Sequence, residues 1–145
     1  MIFRTGMGSA AGRTAEQICA GKGRITMAEK VLIFCGSDAP EKAFPPFMLG
    51  SGALATEMEL TLFFTMSGLN IVRKGGAEKI QLPGAPMTLP KFLDTVREAG
   101  ATMIACSAAF PIVGMKEQDL IEGVTCGGVA TFVLAAREAD VVLTF

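Results

Sequence analysis

The chain has no histidine, and that single absence removes whole mechanisms. A Ser-His-Asp hydrolase, a Cys-His protease and a His-ligated zinc centre are all excluded within one subunit. Tryptophan and tyrosine are missing too, and the net charge is −1. With no basic field and only phenylalanine to stack on bases, no nucleic-acid partner is expected. Cysteine is sparse: Cys19, Cys35, Cys106 and Cys126, with no Cys-x-x-Cys among them. That spacing argues against a thioredoxin-type pair and against a zinc knuckle, so neither metal nor cofactor is expected. No apolar run reaches the roughly 20 residues a membrane span needs. The longest, residues 44–72, is broken by Glu57 and Glu59 and carries Pro45 and Pro46 near its start. Residues 1–24 hold glycines and charges where a signal peptide would be apolar. A reduced, cytoplasmic protein follows, at most peripheral to a membrane.

What is present suits one domain. The 145 residues are half apolar and 19% charged, and a chain of this size buries about two thirds of its unfolded surface. The apolar surplus points to surface covered by other subunits, hence a homo-oligomer. Residues 1–26 differ from the rest, mixing Gly6, Gly8, Gly12, Gly21 and Gly23 with Arg4, Arg13, Lys22 and Arg24. They are expected to be a flexible or non-native extension ahead of a domain at 27–145. Gly6-Met-Gly8 is no dinucleotide fingerprint, because neither the preceding strand nor the third glycine is there.

From Lys30 the pattern alternates as in an α/β domain. Val31-Leu-Ile-Phe34 reads as a strand buried on both faces. A helix is predicted from Phe47 to Met58, with Pro45 and Pro46 tolerable only in its first turn. Leu60 to Thr65 is the second strand, and a short helical segment runs from Ser67 to Lys74. Thr88 caps a clear helix in which Leu89, Phe92, Leu93 and Val96 share one face and Gly100 ends the run. Thr102 to Ala105 is the third strand, and a short helix is expected around residues 116–121. Val124-Thr125 is a brief fourth strand. A last helix follows Gly127-Gly128, with Val129, Phe132, Val133 and Ala136 as its apolar stripe, and residues 141–145 close the sheet. The expected fold is a single α/β domain, an open and mainly parallel sheet of about five strands with helices on both faces.

Ligands in such sheets bind beyond the carboxyl ends of the strands. Cys35, Cys106 and Cys126 all fall at such ends. A free cysteine is often only a small buried hydrophobe, and for Cys35 and Cys126 that plain reading leads; Cys19 has no expected role. Cys106 is the strongest candidate, because it opens into the small-residue loop Ser107-Ala-Ala, whose backbone N–H groups favour a thiolate. Gly127 and Gly128 either cradle an anion at a helix start or form a tight strand-to-helix turn. Arg73 and Lys74 either meet an anion or lie solvated.

In order, Glu59-Leu-Thr-Leu-Phe-Phe-Thr65, Ser67-Gly-Leu-Asn-Ile-Val-Arg-Lys74, Ile104-Ala-Cys106, Gly114-Met-Lys-Glu-Gln-Asp-Leu-Ile-Glu-Gly123 and Gly127-Gly-Val-Ala-Thr131 resemble the DsrE/DsrF/DsrH-like family of small sulfur-handling proteins. The resemblance is to the branch labelled DsrE-like or peroxiredoxin-like. It implies a parallel α/β sheet, homo- or hetero-oligomers, and sulfane sulfur held as a persulfide on the cysteine at position 106. The function it implies is a sulfur carrier or sulfurtransferase in a sulfur relay, passing sulfur between donor and acceptor proteins or low-molecular-weight thiols. Cys126 or Cys35 would be a second thiol, and Gly127, Gly128 and Ser107 would line the substrate site. Two other readings stand beside it: a flavodoxin-like module binding a nucleotide or small acid, and a non-catalytic oligomer subunit.

Overall fold

The computed structural model of the protein describes residues 2–4 and 28–145. Six strands, β1 (Ile2–Arg4), β2 (Lys30–Cys35), β3 (Glu59–Phe64), β4 (Thr102–Cys106), β5 (Val124–Gly127) and β6 (Val141–Thr144), form one sheet in the order β1-β6-β2-β3-β4-β5. Among the described residues the α-helices are α1 (Pro40–Ala43), α2 (Pro45–Ala55), α3 (Leu69–Val72), α4 (Leu89–Glu98), α5 (Phe110–Val113) and α6 (Val129–Glu138). Five strands run parallel, and β1 alone is antiparallel, pairing Ile2 with Leu143 and Arg4 with Val141. This is the single, mainly parallel α/β domain that the sequence predicts. Strand β1 lies inside the segment 1–26 expected to be an extension; residue 1 and residues 5–27, Cys19 among them, lie outside the described residues.

Period and burial agree along the centre of the sheet. Val31, Leu32 and Ile33 are buried because β2 lies between β6 and β3, with both faces covered. In α4 the four residues of the predicted face, Leu89, Phe92, Leu93 and Val96, are those buried. Thr88 holds the extended N-cap position, although its hydroxyl makes no capping bond. The helix expected at residues 47–58 begins two residues earlier, both prolines falling in its first turn, and ends at Ala55.

The two faces of the sheet are unequally clothed. On one, α2 packs over β2 and β3 and against α4, with the Phe47 and Phe64 rings 6.3 Å apart and Phe44 meeting Phe92 edge to face. On the other lies α6, where Phe132 sits 5.3 Å from Phe34 and 5.0 Å from Phe63. The expected stripe of α6 is therefore only half right. Phe132 and Ala136 pack against the core, but Val133 is 57% exposed and Val129 is exposed beside it. Leu134 is exposed as well, so α6 carries apolar side chains on its outward side.

Candidate functional site: the thiol at the end of β4

Cys106 is the last residue of β4 and stands opposite Gly127 in the register with β5. Side chains alternate along a strand. Phe63 pairs with Ile104 and faces α6, so Cys106, two residues beyond Ile104, belongs to the α6 face. It is 4% exposed. The chain then turns at once into a helical run, a 3-10 turn at Ser107–Ala109 continuing into α5 and ending at left-handed Gly114. The first N–H groups of such a run have no partners within it, and Cys106 occupies its N-cap position.

Ser107, Gly127 and Gly128 meet at this point. The Ser107 hydroxyl donates to the Gly127 carbonyl at 3.3 Å, tying the ends of β4 and β5 together. Gly127 is needed for packing, since a Cβ there would lie 2.7 Å from Ile104 Cγ2 and 3.0 Å from Thr131 Cγ2. The Gly128 N–H donates to Thr131 Oγ1 at 3.1 Å, so this donor is spent on starting α6.

The three rim cysteines do not converge. Cys35 and Cys126 lie on the α2/α4 face, because Cys35 pairs with Phe64 and Cys126 with Ala105; Cys106 is on the other. Cys35 is buried, its thiol reaching only the Ile33 carbonyl at 3.9 Å. Burial pushes that thiol far above its ordinary range. Cys126 lies within the edge strand β5, one residue further than the short strand expected from sequence, and is exposed. Partial desolvation, then the charge of Glu117 and a hydrogen bond to its carboxylate, raise this thiol also. Glu117 was not legible as its neighbour, nine residues away in the chain and on a different element.

Arg73 and Lys74 bind backbone rather than an anion. The Arg73 guanidinium donates to the Val113 and Gly114 carbonyls at 3.1 and 3.3 Å, and Lys74 Nζ to the Gln118 carbonyl at 2.8 Å. Together they pin the segment that follows Cys106. Asp38 accepts from Asn70 Nδ2 at 2.9 Å. Clefts of about 110 and 140 Å³ lie elsewhere, one beside Leu93 and Arg97, the other beside Lys30 and Glu59; Cys106 lines neither. Among the described residues, no three or more His, Cys, Asp or Glu side chains gather as a metal site. No described helix is long and apolar enough to cross a membrane.

Residues 29–145 match the DsrE/DsrF-like family. The chain belongs to that family. Among its relatives is YrkE of Bacillus subtilis (strain 168), an uncharacterized protein 25% identical over 149 residues, covering 77% of this chain and 92% of YrkE. The uncharacterized protein MJ0760 of Methanocaldococcus jannaschii is 28% identical over 116 residues, 77% of this chain but 41% of MJ0760. Two solved structures share the fold. The ychN protein from E. coli has a TM-score of 0.64 at 24% identity, covering 81% of this chain and 99% of ychN. MTH1491 from Methanobacterium thermoautotrophicum, a protein of unknown function, has a TM-score of 0.66 at 17% identity, with coverage of 81% and 99%. The fold expected of a DsrE/DsrF-like domain is thus the fold found.

Proposed function

We propose that the protein is a sulfur carrier or sulfurtransferase that holds sulfane sulfur as a persulfide on Cys106. The observation that supports it most is the place of this thiol: the carboxyl end of a central parallel strand, against the start of one helical run and beside the glycine turn into another, in a DsrE/DsrF-like domain. The step needs neither metal nor histidine. The Cys106 thiolate attacks the outer sulfur of a donor R–S–SH; the new Sγ–S bond forms as the donor S–S bond breaks, and RS⁻ leaves and is protonated by water. Cys106–S–SH then gives its outer sulfur to an acceptor thiolate by the same exchange, and Cys106 leaves as thiolate. Donor and acceptor are proteins or low-molecular-weight thiols of a reduced, cytoplasmic compartment.

Intact-mass spectrometry of the reduced protein after incubation with a persulfide donor, beside Cys106→Ser, tests this. A gain of one or more sulfur atoms only where Cys106 is present is expected; a gain in the serine variant as well overturns it. The exposed Val129, Val133 and Leu134 of α6 favour a second reading, a subunit whose main role is self-association as a homo-oligomer. If neither protein gains sulfur and the native assembly resists thiol labelling at Cys106, that reading takes over.

A further inference from the structure

Among the described residues one polar side chain is counted with the buried core, that of Thr65, which is 8% exposed. Its backbone still belongs to the sheet. It is extended, at φ −145° and ψ 166°, and its N–H donates to the Cys35 carbonyl at 3.0 Å. Its hydroxyl has no hydrogen-bond partner among the described residues. Buried polar groups are nearly always bonded, so an unbonded one asks for a reason. Ser51 Oγ is the only partnerless side-chain atom among them that is also sealed from solvent, so the Thr65 hydroxyl keeps some access.

The strand register shows what the hydroxyl adjoins. Phe63 pairs with Ile104 and Phe64 with Ala105, so the next residues, Thr65 and Cys106, come level on neighbouring strands. Alternation puts Thr65, two residues beyond Phe63, on the α6 face with Cys106. Cys106 is itself extended, at φ −73° and ψ 105°. Adjacent strands lie about 4.7–4.9 Å apart, so hydroxyl and thiol are side by side at the carboxyl end of the sheet. The level neighbour on the other flank is Gly127, which has no side chain, and the Ser107 hydroxyl is spent on the Gly127 carbonyl. Thr65 is therefore the level neighbour that can offer Cys106 a side-chain donor. A neutral thiol accepts weakly, and the hydroxyl leaves it unbonded; a thiolate accepts strongly.

We propose that Thr65 is a further catalytic residue of the Cys106 site, its hydroxyl donating to the Cys106 sulfur whenever that sulfur carries the charge. Charge stands there twice: before Cys106 attacks the outer sulfur of the donor, and again when Cys106 leaves as the acceptor takes that sulfur. The hydroxyl keeps its proton throughout. This rests on the sulfur-carrier reading above and names the group that supports its thiolate. The test follows two rates at Cys106 by peptide mass mapping, alkylation by iodoacetamide and persulfidation from cysteine persulfide. Thr65→Val, which swaps the hydroxyl for a methyl of the same shape, should slow both roughly ten-fold, the scale of one hydrogen bond to a charged group. Its urea midpoint should stay at the wild-type value, because no internal hydrogen bond is lost. Thr65→Ser should recover most of both rates. Thr61→Val, on the same face at the amino end of β3, should leave them unchanged. A Thr65 that served only packing would loosen the strand end on replacement and speed alkylation. Alkylation by Thr65→Val at or above the wild-type rate, or a serine variant as slow as valine, overturns the assignment. A wild-type Cys106 that is alkylated but never persulfidated instead sinks the sulfur-carrier reading, and the alkylation rates still judge Thr65. A wild-type Cys106 inert to both reagents overturns both.

Discussion

Cys106 and Gly127 are register partners across β4 and β5, and the junction is closed one residue later, where the Ser107 hydroxyl donates to the Gly127 carbonyl. The thiol thus shares its support with the turn into α6. Ile104, two residues before Cys106 on the same face, lies against the space a side chain at position 127 would fill. Whatever disturbs that turn is transmitted to the strand end that carries Cys106.

Gly127→Ala should therefore destabilise the fold and slow sulfur loading. The added methyl would come within 2.7 Å of Ile104 Cγ2, and overpacking of this kind costs about 1–3 kcal/mol. Gly128→Ala is the control, because a Cβ at Gly128 meets nothing within 4 Å and its φ of −100° suits alanine. Its effect should stay within about 0.5 kcal/mol. Urea midpoints of the two variants check this, and equal midpoints would mean that the turn tolerates bulk.

Cys106 and Cys126 should not form a disulfide within one chain. They are close in sequence register, Cys126 pairing with the residue before Cys106, but alternation sends their side chains to opposite faces of the sheet. A disulfide needs Cβ atoms about 3.5–4.5 Å apart with converging vectors. Oxidation with diamide followed by non-reducing peptide mass mapping should show no Cys106–Cys126 link. On the sulfur-carrier proposal, a persulfide on Cys106 would then be resolved by an external thiol.

Cys35 predicts alkaline sensitivity. Burial raises its thiol above the ordinary value of 9.0, so the folded state keeps a proton that the unfolded chain releases. A thiol shifted this way contributes fully below the unfolded value, and its contribution falls once pH rises past it. Above about pH 9 each further unit should cost about 1.4 kcal/mol from this group. Urea unfolding of the wild type and of Cys35→Ala, compared at pH 8 and pH 10, isolates the effect. The variant starts less stable from the lost packing but should show a shallower decline.

The order of elements was legible because it rests on local pattern. The Leu89, Phe92, Leu93 and Val96 face of α4 and the unbroken apolar run of β2 state their own periods. Placing three cysteines at carboxyl ends of strands needed only those boundaries. Which face each thiol takes did not follow, since a one-residue difference in where a strand stops reverses it: β4 includes Cys106, and β5 runs through Cys126 to Gly127. Helix α6 misled for another reason. It is apolar on several sides, so spacing alone could not tell that Phe132 faces the sheet while Val133 faces out. The carbonyl partners of Arg73 and Lys74 lie 40 or more residues away, beyond any local signal.

Arg73 leads to the last prediction. Its guanidinium holds the Val113 and Gly114 carbonyls, the terminal acceptors of the helical run that starts at Cys106. The flanking backbone adds Lys74 N–H to Asp119 and Ile121 N–H to Val72, at 2.8 and 2.9 Å. Charged donors to backbone carbonyls contribute about 1.5–3 kcal/mol where buried, and this partly exposed pair should sit near the lower end. Arg73→Ala should therefore cost about 1–2 kcal/mol, and hydrogen exchange should rise in residues 110–116 while β4 stays protected. Arg73→Lys tests the geometry as distinct from the charge. A single ammonium lacks the planar fork that serves two neighbouring carbonyls, so lysine should recover only part of the loss. Full recovery would mean that positive charge at the end of α5, and not the two-carbonyl clamp, holds the segment after Cys106 in place.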